Sequence, residues 1–271
     1  MEKHRNEISQ QQLAYIRQLK SRKHMITFLR WFFFLAFLAL WEAAAHFEWI
    51  NSFIFCSPSK IWECFLDMLL HQSLSTHIGI TMLETAAGFF LVVIISVAFA
   101  ILLWWNETVS KVVEPYLVVL NSLPKSALAP VLIVWLGATT KTIIVCAMSV
   151  AIFGSILNVY TGFMTVDPDK TKLIQTLKGN KLDILRLVII PSSVPNLLSV
   201  MKVNIGLSLV GVVIGEFLAA KAGLGYLIIY GSQTFKMSWV LMSIVLLCIM
   251  AMLLYQALRF IEKHLGRYCA S

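Results

Sequence analysis

The sequence predicts an all-α integral membrane protein of six transmembrane helices, with one structured polar loop between the fourth and fifth. Three observations predict it. The chain of 271 residues is 59% hydrophobic and only 13% charged, with a mean hydropathy of +0.80, whereas soluble domains are about half apolar and about a quarter charged. Apolar runs of membrane-spanning length recur along it, each close to the ~20 residues that cross a bilayer. One stretch, Thr165 to Pro195, breaks this pattern with Asp167, Asp169, Lys170, Lys172, Lys178, Lys181, Asp183 and Arg186. That many charges are incompatible with hydrocarbon, so the stretch belongs in water between two spans.

Taken in order, residues 1–27 form a basic, weakly helical segment with Leu13, Ile16 and Leu19 at helical spacing. The first span runs from about Thr27 to Phe47 and holds Glu42. Residues 48–77 are an outside segment in which Ile61, Phe65 and Met68 suggest a short surface helix after Ser57-Pro58. The second span, about Ile78 to Trp105, holds Glu84. Asn106 to Glu114 read as a short inner loop. The third span, about Pro115 to Leu136, is interrupted by Pro124 and Pro130, prolines that a span tolerates where neighbours satisfy the freed carbonyls. The fourth, about Thr142 to Phe163, follows a tight turn. The fifth, about Asn196 to Ala219, carries Lys202, Asn204 and Glu216. AGLGY at 222–226 lies in the next outer segment, and the sixth span is about Trp239 to Phe260. The domains expected are a 1–27 N-terminal segment, a 28–260 six-span domain with its loop at 165–192, and a 261–271 tail.

The loop itself reads as two short amphipathic helices. Asp167 before Pro168 is an N-cap followed by a proline at the first helical position. Leu173, Ile174 and Leu177 make one apolar face, and Gly179-Asn180 punctuates. Leu182, Leu185 and Ile189 then recur at helical spacing until Pro191 stops the run. An apolar face outside the membrane needs a surface to cover it.

Charge orients the spans. Sixteen lysines and arginines fall on the side of the termini and the 165–192 loop, against Lys60, Lys141, Lys221 and Lys236 on the other. The positive-inside rule therefore places both termini and the loop in the cytoplasm of a cell-membrane protein. The net charge of +8 comes from these scattered positions, without the aromatic–basic interleaving of a nucleic-acid binder.

Several chemistries have no signature. No G-x-x-x-x-G-K-[ST] occurs, so the chain holds no ATP in the usual way, and Gly223-Leu224-Gly225-Tyr226 is not a phosphate loop. The six histidines and five cysteines show no metal spacing. Ser192-Ser193 have no histidine–acid constellation in reach. No catalytic role, metal or other cofactor is therefore expected in this chain. Within the spans, Asn121, Ser122 and Lys125 at the Pro124 break, and Glu216, are candidates for lining a translocation path that favours an anionic or oxygen-rich solute. A structural Lys125–Glu216 ion pair is the plainer alternative.

The segments CSPSKIW (56–62), TMLETAAGFF (81–90), NSLPKSALAPVLIVWLGATTK (121–141), IIPSSVP, GVVIGEF and AGLGYLI, in this order, resemble the membrane permease subunit of binding-protein-dependent ABC importers. The similarity is to the branch handling sulfonates, taurine, nitrate and thiamine pyrimidine precursors, with a type I importer fold. It implies a second permease subunit, identical in the simplest case. It also implies two cytoplasmic ABC ATPases that hold the ATP, and an extracytoplasmic solute-binding protein. The 165–192 loop would be the coupling segment that docks the ATPase, through Leu173, Ile174, Leu177, Gly179, Leu182, Leu185 and Pro191. The family's loop has Glu-Ala-Ala, three residues, glycine, then Ile-x-Leu-Pro. Counted back from Pro191, Lys172 stands at the acidic position and Lys178 at the glycine, with Gly179 following. The competing expectation is a secondary carrier or channel without ATPase subunits, against which no inverted repeat is visible.

Overall fold

In the computed structural model, residues 10–47, 49, 55–71 and 73–269 are described, and every regular element among them is helical. The chain divides into two compact units, residues 1–63 and 64–271.

The first unit is dominated by α1 (Gln10–His46). Its described part runs unbroken through residue 27, and the stretch of it apolar enough to cross a membrane is His24–His46; residues 1–9 lie outside the described residues. Phe28, Trp31, Phe32, Phe33 and Phe34 are all exposed, as suits a helix whose sides meet lipid. Glu42 caps α2 (Pro58–His71): Ser59 donates its N–H and its hydroxyl to the two carboxylate oxygens at 3.1 and 2.9 Å. An anion there also complements the positive N-terminal end of the helix.

The second unit is built on α3 (Leu74–Trp105), α6 (Thr140–Met164) and α9 (Ile190–Ala219), with α6 packed most extensively against the other two. Small residues let them approach. Ala147 of α6 is fully buried, and a Cβ on Gly88 of α3 would lie 2.8 Å from its Cβ. A Cβ on Gly211 of α9 would lie 2.5 Å from its Cα. Close backbone approach over small residues replaces the hydrophobic effect that lipid does not supply. Deeper along the same trio, Asn204 donates to Ser155 Oγ at 2.8 Å and Ser155 to Ser96 Oγ at 2.9 Å. Such hydrogen bonds join one span to the next. Phe89, Ile205 and Leu258 bring in α11 (Met237–Cys269).

Among the described residues, five helices are each long and apolar enough to cross a membrane, and a sixth span arises if a bent pair is counted as one. That pair is α4 (Glu107–Ser122) and α5 (Lys125–Leu136), bent by 94°. The expected inner loop at 106–114 is therefore helix from residue 107. Asn106 caps it, its Oδ1 accepting from the N–H groups of Thr108 and Val109 at 3.0 and 3.3 Å. Between α6 and α9 lie α7 (Pro168–Thr176), the single turn α8 (Lys181–Ile184) and a π-helical turn, Leu185–Ile189. The expected stop at Pro191 is corrected here. Lys181–Ala219 is one continuous helical rod. In the widened turn the Ile190 N–H bonds the Leu185 carbonyl, so the helix shifts register just before the residue that lacks an N–H. The last of the five long helices, α11, follows α10 (Leu224–Gln233).

Candidate functional site

The polar segment folds as its residues dictate. Asp167 Oδ1 accepts from the Asp169 N–H at 2.9 Å, and Pro168 opens α7. The helix ends with Lys178 in the left-handed region, φ 61°, while the Gly179 N–H bonds back to the Ile174 carbonyl at 2.9 Å. This is the closing pattern usually given to glycine, and here it falls on the lysine that stands at the resembled family's glycine position. Gly179 is required for a different reason: a Cβ there would lie 2.4 Å from Ile174 Cγ2. A reciprocal capping box then starts α8: Asp183 N–H donates to Asn180 Oδ1 at 2.9 Å, and Asn180 N–H to Asp183 Oδ2 at 2.8 Å. Lys172, at the resembled family's acidic position, pairs with Asp169 at 3.0 Å on the exposed surface.

The segment has two faces. Leu173, Leu177 and Leu182 are 60%, 71% and 51% exposed and carry the apolar surface outward. Ile174, Ile184, Leu185 and Ile189 turn inward onto Phe163, Val159 and Ala100. The expectation that Ile174 belongs to the docking face is thereby corrected, as is the one for Leu185. The π-helical turn rotates it into the core, where it is 7% exposed. Pro191 and Gly179 lie at or near the surface. Lys181 donates to the Trp105 carbonyl at the end of α3 and sits 5.6 and 5.7 Å from the centroids of the Trp104 and Trp105 rings. Beneath it, Trp104, Thr171, Gln175, Gly179 and Ile184 line a hollow of about 420 Å³.

At the break between α4 and α5, Lys125 curls back. Its ammonium donates to the carbonyls of Leu120, Asn121 and Leu123, the first at 2.9 Å and the last at 3.1 Å. All three donors of the ammonium are thus spent on the end of α4. The ring of Phe153 lies 5.9 Å from it. Ser122 donates to the Val118 carbonyl at 2.9 Å, and Asn121 packs against Gly154 of α6. The three polar residues of the break do come together, but two of them are turned to their own backbone. Lys125 and Glu216 form no ion pair; Lys202 pairs with Glu262 of α11 at 2.7 Å.

Glu216 lies at the opposite end of the bundle from the 168–189 segment. It is 1% exposed. Its Oε1 accepts the Thr81 hydroxyl at 2.7 Å and its Oε2 the Gly225 N–H at 2.6 Å. Thr81 in turn accepts the Leu224 N–H at 2.8 Å, and His77 Nδ1 the Gly223 N–H at 3.0 Å. The AGLGY segment is therefore wrapped around a buried carboxylate. Sequence reading singled out both AGLGY and Glu216 without joining them; the signal was two close-spaced glycines a few residues after an acid inside a span. No group of three metal-binding side chains is present among the described residues.

A model of the family described as binding-protein-dependent transport system inner membrane component matches residues 92–267. The chain belongs to this family. The match takes in the C-terminal part of α3, the broken span, the 168–189 segment and nearly all of the helices that follow. Among curated proteins, the chain is similar to the formylaminopyrimidine transport permease protein ThiX of Halalkalibacterium halodurans. The two are 27% identical over 85% of this chain and 92% of that one. It is also similar to the taurine transport system permease protein TauC of Escherichia coli, 22% identical over 84% and 85% of the two chains. Among solved structures, the inward-facing MetNI methionine ABC transporter shares its fold, with a TM-score of 0.60 at 18% identity over 72% of this chain and 95% of that one. The fold is that of a type I ABC importer permease, and this member of the family is a multi-pass membrane permease subunit.

Proposed function

We propose that the chain is the membrane-spanning half of an ATP-driven importer. It works as a pair of permease subunits, with two cytoplasmic ABC ATPases docked on residues 165–192 and an extracytoplasmic binding protein delivering solute. Both termini lie in the cytoplasm under this reading. The cargo is a small solute: a sulfonate or a pyrimidine precursor, the kinds named for relatives of this chain, or a nitrate-like anion. The chain is non-catalytic, and ATP belongs to the partner. One observation carries the reading: Leu173 and Leu177 project from the capped α7 segment and Leu182 from the first turn of the Lys181–Ala219 rod, and all three are exposed. Apolar knobs on a short helix seat in a groove of a second protein, and packed helices then move as rigid units. The same segment's inner face is fixed to α3, α6 and α9, the trio a docked motor would have to shift.

The test is a purification. The tagged chain drawn from its native membranes should bring an ABC ATPase with it. The triple variant Leu173→Ser, Leu177→Ser, Leu182→Ser should lose that ATPase while remaining folded and membrane-embedded. An ATPase retained by the triple variant sinks the docking assignment.

A further inference from the structure

The short helix α2 carries an apolar stripe that the long spans do not explain. Trp62, Leu66, Leu69 and Leu70 recur at helical spacing and share one face. All four are exposed, Leu70 by 74%. Ile61 and Met68, on the adjoining sector, are buried, Met68 almost completely. Glu63 and Asp67, four positions apart, are exposed on the other flank of the stripe. The stripe therefore extends the buried face round the helix until the acids interrupt it. Apolar residues exposed singly are ordinary, whereas an aligned patch marks a surface that something covers.

The depth of α2 is set by what it is tied to. Only Gln72 and Ser73 separate His71 from Leu74, where the apolar α3 begins. Three Cα steps reach at most roughly 11 Å, so the end of α2 stands close to the end of a span. A run of rings marks that end independently. His77, in the first turn of α3, stacks on Tyr226, Tyr226 stacks on Tyr230, and Tyr230 meets Trp239 of α11, with centroids 6.2, 5.8 and 5.7 Å apart. The Lys236 ammonium lies 4.3 Å from the Trp239 centroid. Tyrosine and tryptophan rings collect at headgroup level, where a lysine beside them keeps its charge in water. The tether of α2 and this aromatic belt meet at the same end of α3.

We propose that α2 is an interfacial helix, with Trp62, Leu66, Leu69 and Leu70 sunk into the boundary between headgroups and acyl chains and with Glu63 and Asp67 turned to water. The stripe's occupant is lipid, because the helix joins directly onto a span whose own sides meet lipid. Helices of this kind sink about 5–10 Å into that boundary, a depth the short tether allows. The acids offer nothing to anionic headgroups, so apolar burial holds the helix there. Anchored in this way, α2 fixes the depth at which α3 begins. Its place on the outer face follows from the orientation proposed above. Its place in an interface depends neither on that orientation nor on the ATPase or the cargo.

Nitroxide scanning of the full chain in nanodiscs of equal parts phosphatidylethanolamine and phosphatidylglycerol tests it. The nitroxide is attached through a ketone-bearing unnatural residue, which leaves the five cysteines in place. It stands, one chain at a time, at positions 63, 66, 67, 69 and 70. Oxygen, which concentrates among acyl chains, and a water-soluble nickel chelate serve as the relaxing agents. At 66, 69 and 70 the ratio of oxygen to nickel accessibility should exceed that at 63 and 67 several-fold. Equal ratios at all five positions overturn the proposal, since the stripe then stands in water. Labels at 66, 69 and 70 shielded from both agents overturn it too, since a protein surface, such as a second copy of this chain, then covers them. Amide exchange over residues 58–71 should also rise several-fold in the double variant Leu66→Glu, Leu70→Glu. An unchanged rate overturns the anchoring role.

Discussion

Gly225 donates its N–H to Glu216 Oε2 at 2.6 Å, and the two residues are nine positions apart in the chain. The carboxylate fills the space in which side chains at 223 and 225 would sit. A Cβ on Gly225 would lie 2.7 Å from Oε2, and one on Gly223 2.3 Å from Oε1. Gly223 also has φ +122°, which side chains rarely adopt. The glycines of AGLGY are thus explained by an acid on the preceding helix rather than by a phosphate.

Gly225→Ala should accordingly destabilise the bundle. The new methyl meets the Glu216 carboxylate, the Glu216 Cβ at 2.9 Å and the Val213 carbonyl at 3.2 Å, two of which are parts of a packed helix. Overpacking of this kind costs about 1–3 kcal/mol. Thermal unfolding of the detergent-purified chain measures it. An unchanged midpoint would show that the segment can move aside at no cost.

Lys178→Gly should tighten the docking segment. The lysine holds φ 61°, a conformation that costs a side chain roughly 1–2 kcal/mol and glycine much less. Amide exchange at Gly179, whose N–H closes the turn onto Ile174, should slow several-fold. Faster exchange in the variant would mean that chain entropy outweighs the relief.

Lys125→Met should weaken the bend between α4 and α5 without altering the apparent affinity for solute. The ammonium serves three carbonyls at the end of α4, and removing it leaves them without donors. A loss of about 1–3 kcal/mol is expected, read as a lower unfolding midpoint with an unchanged half-saturating concentration for uptake. A changed half-saturation with normal stability would return Lys125 to the translocation path.

Much of this was legible in the sequence, for identifiable reasons. Long apolar runs fix the spans, because bilayer thickness sets their length. Pro124 marks the broken span, and Asp167-Pro168 marks the start of α7. What was not legible depends on register or on distant pairing. Pro191 reads as a stop, yet the π-helical turn before it carries the helix through and rotates Leu185 inward. Asn106 to Glu114 read as a loop because their charges hide a capped amphipathic helix. Thr81 and Glu216 meet across 135 positions, and no local pattern announces such a pair.

Ala147→Leu tests the packing of the central trio. Ala147 has no exposed surface, with Gly88 of α3 on one side and Gly211 of α9 on the other. A leucine there must push at least one helix away, at a cost of about 1–3 kcal/mol or more. The expected result is loss of the monodisperse, folded protein. Normal yield and stability would mean that the helices pack less closely than described.

Lys181 tests whether the docking segment acts on α3. Its ammonium reaches the Trp105 carbonyl and lies over two indole rings, where a cation complements both the negative helix end and the ring faces. The site is exposed, so the stability it contributes is modest, about 0.5–1 kcal/mol. Its mechanical effect is separate from that figure. α3 has no covalent connection to the segment near this point, since Trp105 and Lys181 are 76 positions apart. Lys181→Met keeps the apolar stem and removes the charge, whereas Lys181→Arg keeps the charge. In reconstituted transporter, Lys181→Met should lower solute moved per ATP hydrolysed, with ATPase still bound, and Lys181→Arg should recover most of that ratio. If transport and hydrolysis fall together in Lys181→Met, Lys181 serves assembly alone and α3 receives its motion only through α6 and α9.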